Sequence, residues 1–221
     1  MKITQPHPWN VSAQQAIDIQ KRLSRKIITT DRMGKVALVA GVDVGFEENG
    51  RITRAAVVIL EFPSLVMRES SIARLPTSFP YVPGLLSFRE MPAVLEAMAS
   101  IENKPDLLIC DGQGIAHPRR IGIASHLGLL TGLPSIGVGK TRLIGTHDPV
   151  KDAKGAWVPL WHNGECIGAV LRTRKGVKPV FISPGHKISL ETAINYVMEC
   201  ITRFRLPETI RMAHHHASSK S

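Results

Sequence analysis

The sequence predicts an α/β fold with a mixed central sheet and helices on both faces. Three features of the 221-residue chain predict it. Three β-rich apolar runs follow one another with only short turns between them, the mark of an antiparallel meander. Short buried strands then alternate with helical segments, which implies parallel crossovers. The composition is that of an ordinary globular protein, 43% hydrophobic and 21% charged, long enough to bury a full core without disulfide or metal staples.

Taken in order, Ser12 and Gln15 make a capping-box start, and Ala13, Ala16, Ile17, Leu23 and Ile27 recur at helical spacing, so residues 13–28 read as an amphipathic helix. Strands are expected at 36–44, 53–62 and 65–75, with Glu48-Asn49-Gly50 and Pro63-Ser64 as turns. Pro80-Tyr81-Val82-Pro83-Gly84 is a rigid loop. Residues 87–99 read as a helix with Ser87 as its N-cap, and 106–110 as a short buried strand ending at Asp111. Residues 121–130 form a buried helix stopped by Gly132. Further strands are expected at 135–138, 156–161, 165–173 and 179–182, and a last helix at 189–204. The segment after Arg211 is small and polar and reads as a frayed tail over 212–221. No repeat or linker interrupts this pattern, so residues 1–221 are expected to form one domain.

Lys and Arg number 28 against 18 acids, a formal charge of +10. Such an excess favours contact with a polyanion, although a solvated basic surface produces the same count. Cys110, Cys166 and Cys200 are odd in number, lack paired spacing and flank apolar residues, which argues against a disulfide framework or a zinc site. There is no window of ~18 apolar residues for a membrane span. Residues 1–10 are polar, without the apolar stretch of a secretory signal. A reducing, cytoplasmic setting is the expectation.

Three acids carry the chemical argument. Asp43 interrupts an apolar strand, and on period-two geometry its side chain points opposite to Val42 and Val44. A carboxylate there is costly unless it meets a cation or hydrogen-bond donors. Asp111 ends the next buried strand, where α/β sheets place their sites. Glu90 lies in the first turn of the helix between them. Taken singly, Asp43 and Asp111-Gly112 are also compatible with ordinary turns, and Ser87-x-x-Glu90 with a capping box. Their joint placement favours a site, because in the ribonuclease-H-like architecture these positions converge at one edge of the sheet. Mg²⁺ takes hard oxygen ligands and is held by one or two carboxylates together with water and substrate phosphate. It supplies an activated water and neutralises charge developing on a phosphate.

Longer motifs surround these acids. They are Gly41-Val42-Asp43-Val44-Gly45-Phe46, Pro80 through Glu90, Pro105-Asp106 through Asp111-Gly112-Gln113-Gly114-Ile115-Ala116-His117-Pro118-Arg119-Arg120, Gly122 through Gly128, and Gly137-Val138-Gly139-Lys140. On these motifs nearly the whole chain resembles the endonuclease V family, the deoxyinosine 3′ endonucleases. The resemblance implies hydrolysis of the second phosphodiester bond on the 3′ side of deoxyinosine, with Mg²⁺ as cofactor and Mn²⁺ able to substitute. The implied partner is DNA containing deoxyinosine or other deaminated bases, and inosine-containing RNA is the alternative. Asp43, Glu90 and Asp111 match the acidic metal-binding set, and His214 falls near a histidine close to the metal. His117 and Lys140 match catalytic or phosphate-contacting positions. Tyr81 matches a wedge residue, with Pro83 beside it, and Gly84, Leu86, Gly112, Gly114, Ile123 and Leu143 match the pocket for the base. Gln113 stands where the resemblance leads one to expect His or Asn.

Several residues keep plainer readings. Tyr81 between prolines is able to pack on its own loop, Pro83-Gly84 is a type II turn signal, and a lone Lys140 after a strand is usually a solvated charge. His126 is read as a core histidine, and Trp9, Trp157 and Trp161 as packing residues. Arg119-Arg120 and Arg172-Arg174-Lys175-Lys178 both read as phosphate contacts, and the first pair is the favoured one. A non-catalytic nucleic-acid-binding module is the rival from another class, and the presence of all three acids counts against it. A metal-dependent phosphatase of small substrates leaves Tyr81 and the positive charge unexplained.

Overall fold

A computed structural model describes residues 3–218. Its centre is an eight-stranded sheet in the order β3-β2-β1-β4-β5-β8-β7-β6. The strands are β1 (Leu38–Glu47), β2 (Ile52–Glu61), β3 (Met67–Pro76), β4 (Leu107–Asp111), β5 (Ser135–Gly139), β6 (Trp157–His162), β7 (Glu165–Leu171) and β8 (Val180–His186). The meander is antiparallel, as the short turns require, and β4 and β5 run parallel to β1 after crossovers. Strands β6, β7 and β8 extend the sheet with antiparallel pairing. The meander followed by parallel crossovers is the ribonuclease-H-like arrangement that the spacing of the acids predicts.

Helices cover both faces. On one, α2 (Leu86–Ala99) and α3 (Ile123–Thr131) bury Met91, Val94, Leu127 and Leu130 against Val42, Val57 and Ile59. On the other, α4 (Leu190–Glu199) and α5 (Glu208–Ser218) bury Ile194, Val197 and Ile210 against Val39, Leu107, Ile109 and Ile136. Each such side chain contributes about 1.5–3 kcal/mol relative to exposure. Helix α1 (Ala13–Ser24) begins with the predicted capping box, in which Ser12 accepts from the Gln15 N–H and the Gln15 side chain accepts from the Ser12 N–H. It stops four residues before the end that its apolar spacing suggests. Among the described residues, no helix is long and apolar enough to cross a membrane.

Two local expectations are corrected. Helix α2 starts at Leu86 with Leu85 as N-cap and no side-chain cap. Ser87 instead pairs with His126 Nδ1 at 3.1 Å, so there is no capping box to occupy Glu90, which begins the second turn rather than lying in the first. The expected final helix at 189–204 ends at Glu199, and most of the expected frayed tail is helix α5, with Thr209, Ile210, Ala213 and Ala217 buried. The last part of that tail, 219–221, lies outside the described residues. The small residues of α5 hide a weak apolar stripe that becomes a buried face only because β1 offers glycine beneath it. A Cβ on Gly41 would lie 2.0 Å from the Thr209 carbonyl oxygen.

Gly41→Ala is therefore expected to lift the start of α5 and to lower stability by about 1–3 kcal/mol, the usual cost of overpacking. Urea unfolding measures it, and a native midpoint would show that α5 tolerates displacement from β1.

Candidate active site

The sheet register sets the site. Val42 of β1 is level with Cys110 of β4, so the next residues, Asp43 and Asp111, leave neighbouring parallel strands side by side. Neighbouring strands lie ~4.8 Å apart. Glu90, on α2, is only 7% exposed and enters the same cleft. Among the described residues, no three His, Cys, Asp or Glu side chains form a closed metal cage. The acids instead line one wall of an open cleft of about 410 Å³.

Basic side chains hold two of them. Lys140, just beyond β5, forms an ion pair with Asp111. His214 of α5 reaches the other, its Nδ1 lying 2.7 Å from Asp43 Oδ2. The carboxylate can only accept, so Nδ1 is assigned as the protonated nitrogen. Val44 N–H donates to Asp43 Oδ1 at 2.8 Å. Burial pushes the Glu90 carboxyl up to about 8, helped by the charges of Asp43 and Asp111. Burial and then Asp43 push Asp111 up to about 6, against the downward pull of Lys140. The local positive charge is too small to keep all three acids ionised at neutral pH.

The cleft is also lined by the loop of Tyr81, Pro83 and Gly84, followed by Leu86. Leu85 N–H donates to the Val82 carbonyl at 2.9 Å and Gly84 has φ +77°, the positive value that a Pro-Gly type II turn needs at its third residue. The Gly84 carbonyl accepts from Gln20 Nε2 at 3.0 Å, His117 Nε2 at 2.9 Å and Arg119 Nη2 at 2.6 Å. The root of the loop is thus fixed from α1 and from the segment after β4. Its tip is free, and Tyr81 is 71% exposed. Gly112, Ile123 and Leu143 complete the lining.

The structure thus gathers Asp43, Glu90, Asp111, His117, Lys140, Tyr81, Pro83, Gly84, Leu86, Gly112, Ile123 and Leu143 around one cleft. Gly114 does not line it. Its N–H donates to Ser183 Oγ at 2.8 Å, beneath the cleft floor. His214 approaches from outside, through Asp43. Both ring nitrogens of His117 are occupied, Nε2 by the Gly84 carbonyl and Nδ1 by the Arg119 N–H at 3.2 Å, and burial lowers its pKa to about 4. Its geometry is that of a neutral positioning residue. The expected phosphate contacts Arg119 and Arg120 are turned inward. Arg119 Nε donates to Gln20 Oε1 at 2.5 Å and Arg120 Nε to Glu165 Oε2 at 2.7 Å. His126 is a core histidine as expected, its pKa lowered to about 3 by burial and by His7. Trp9 packs against Phe88. Sequence reasoning missed Gln20, whose buried amide on an amphipathic helix carries no motif.

A sequence profile of the endonuclease V family matches residues 21–215. Endonuclease V of a Nostoc species is 59% identical over 221 residues, covering all of both chains. Endonuclease V of Roseiflexus castenholzii is 57% identical over 213 residues, covering 96% of this chain and 95% of its own. The crystal structure of Streptomyces avermitilis endonuclease V is similar with a TM-score of 0.90 at 38% identity, covering 98% of this chain and 96% of that one. Ciona intestinalis endonuclease V, in complex with a 23mer DNA containing an inosine followed by a ribo-adenosine, is similar with a TM-score of 0.82 at 31% identity, covering 94% and 97%.

The raised carboxyl pKa values fix the sign of a pH effect on the metal-free protein. The folded state keeps the Glu90 proton up to about pH 8, whereas the unfolded chain releases it near 4.5. The stability that the protonated Glu90 contributes is therefore full below about pH 4.5 and is lost as pH rises towards 8, with Asp111 acting in the same sense between 3.8 and about 6. The lowered His117, His126 and His186 act in the opposite sense, adding stability as pH rises towards 6.5. The Glu90 contribution is read from the difference between Glu90→Gln and wild type in urea unfolding with chelator. That difference is expected to move in favour of the variant between about pH 4.5 and 8; a difference that stays constant over this interval would contradict this electrostatic account.

Proposed function

This chain belongs to the endonuclease V family and is a nuclease, and from that premise we propose that it is a Mg²⁺-dependent repair enzyme cutting DNA at the second phosphodiester bond 3′ to deoxyinosine. The observation that carries the reading is the convergence of Asp43, Glu90 and Asp111 on one cleft that the exposed Tyr81 also lines. The DNA in the Ciona intestinalis complex, which contains an inosine, supports the substrate class. Three free cysteines fit a reducing, cytoplasmic setting.

The donor set fits a hard divalent cation. Mg²⁺ is commonly held by one or two carboxylates plus water and phosphate rather than by an all-protein cage, so an open wall of acids suits it. Asp43, Asp111 and Glu90 hold the ion, and Mn²⁺ substitutes because it takes the same oxygen donors. When bound, the ion lowers the pKa of water and neutralises charge on the phosphate. His214, expected from the resemblance to be a metal ligand, acts here by holding Asp43 in place, the usual part of a histidine bonded to a ligating carboxylate. Lys140 keeps Asp111 oriented and brings positive charge to the phosphate oxygens. His117 fixes the Gly84 carbonyl and thereby the wall of the base pocket.

A base must leave the stack to be read. Hypoxanthine offers an oxygen at C6 and a proton on N1, and backbone groups lining the cleft at Leu86, Gly112, Ile123 and Leu143 suit that edge, while the Gly84 carbonyl and the Gly112 N–H are bonded within the fold and shape the wall instead. Adenine would leave such groups unpaired at about 1–3 kcal/mol each. The stack left behind is filled by Tyr81.

Nicking of inosine-containing and plain oligonucleotides, DNA and RNA, with and without Mg²⁺, tests the proposal. Cutting is expected only with inosine and Mg²⁺ and more strongly in DNA; greater activity on inosine RNA would transfer the substrate. Asp43→Asn and Asp111→Asn are each expected to reduce nicking to background while lesion binding, which depends on phosphate and base contacts, persists. Near-native nicking by Asp43→Asn would remove it from catalysis.

Tyr81→Ala is expected to weaken lesion affinity by roughly ten- to hundredfold, the equivalent of ~1–3 kcal/mol for one stacked base. Binding to plain DNA should change little. Gel shifts on both duplexes decide it, and equal losses on the two would end the wedge assignment.

A further inference from the structure

A band of positive charge leads out of the cleft to an exposed pair of indoles. It begins at Lys140. The Arg205 guanidinium ties this end of β5 to the loop before β8, its Nη2 donating to the carbonyls of Lys140 and Pro179 at 2.8 Å each and its Nε to the Lys178 carbonyl at 2.8 Å. From there residues 172–178 run alongside residues 150–156. The two loops are stitched together: Gly155 N–H donates to the Arg172 carbonyl, Gly176 N–H to Asp152 Oδ1, each at 2.8 Å, and Arg172 pairs with Asp152 at 3.5 Å. Together they carry six cations, Lys151, Lys154, Arg172, Arg174, Lys175 and Lys178, against one carboxylate, Asp152. Five of the six, all except Arg172, are exposed. Loop 150–156 feeds directly into β6, the last strand of the sheet, where Trp157 is 41% and Trp161 46% exposed. Four residues apart on one strand, the two indoles share a face and are set about 13 Å apart.

We infer that this band and Trp157 bind an unpaired stretch of the substrate's own strand beyond the cleft, as a second nucleic-acid contact separate from the catalytic site. The inference rests on the nuclease reading above. Phosphates follow the lysines of the two loops, and a base stacks on Trp157, with Trp161 next along the strand. An exposed indole adds nothing to a phosphate contact, so its place at the end of a cationic band selects a strand whose base faces are open rather than a duplex. The contact contributes affinity and leaves the chemistry at the acids unchanged.

Binding and nicking of two inosine substrates test this, one just long enough to fill the cleft and one carrying unpaired extensions of about 15 nucleotides on both sides, a length within the range of one single-strand site. Wild-type protein is expected to bind the extended substrate roughly tenfold more tightly. Lys154→Ala with Lys175→Ala should lower the steepness of log affinity against log salt by about 1.4 on the extended substrate, two single-strand phosphate contacts' worth, and Trp157→Ala should remove most of the length-dependent gain. Both variants should nick the short substrate at the native rate. An extension that adds no affinity, equal losses on both substrates, or a gain that persists in Trp157→Ala when the extension is paired into duplex would overturn the inference. Nicking of the short substrate reads the catalytic site, and the length-dependent binding reads the band, so the two readings fail separately.

Discussion

The register between β1 and β4 is the constraint on which the site depends. It places Asp43 and Asp111 on adjacent parallel strands at the same level, and α2 adds Glu90 in a nearly dry position. Two carboxylates at about 5 Å repel by on the order of 3 kcal/mol at an effective dielectric of 20. Lys140 and His214 meet this by gripping one acid each. No such bond holds the third among the described residues, and burial, helped by the charges of Asp43 and Asp111 against the pull of Arg89, keeps its proton on to about pH 8. The cleft is therefore short of positive charge by design of its sheet, and a divalent ion with a substrate phosphate is the chemistry that completes it.

The surrounding scaffold is rigid where the chemistry needs it. Gly41 lets α5 lie close enough to β1 for His214 to reach back to Asp43. In the Tyr81 loop one carbonyl, that of Gly84, gathers donors from Gln20, His117 and Arg119. The Tyr81 loop thus has a fixed root and a free tip. A wedge needs both, because a tip on a mobile root would give its stacking energy back in ordering entropy.

Much of this was legible in the sequence, for definable reasons. The meander, the crossovers and the opposition of Asp43 to Val42 and Val44 follow from period-two alternation and turn chemistry, which are local. Pro83-Gly84 announced its turn for the same reason. Ser87 misled because a capping box is also local, and its hydroxyl was claimed by His126 from another helix. Helix α5 was illegible because its buried stripe is alanine, threonine and one isoleucine, which acquires meaning only against glycine in a strand more than 150 residues earlier. Gly114 was placed with the pocket by its motif, yet neighbouring residues of one tight segment face different ways, and Gly112 and Gln113 line the cleft while Gly114 does not.

Charge followed the same rule. The arginines inside the motif, Arg119 and Arg120, look like phosphate contacts, but their guanidiniums are tied to Gln20, Gly84 and Glu165 within the fold. Exposed cations gather in the loops around β6 and β8, where the sequence shows a second cluster, Arg172-Arg174-Lys175-Lys178, that sits in no motif and so carries less weight than Arg119-Arg120. This division has a physical logic. An arginine close to the acids is worth more as a fixed strut, since its planar fork holds several acceptors at once, and a charge that must follow a flexible polyanion is better carried by lysines on the surface. Recognition and chemistry can then vary independently, the first through exposed loops, the second through a register that no single loop is able to change.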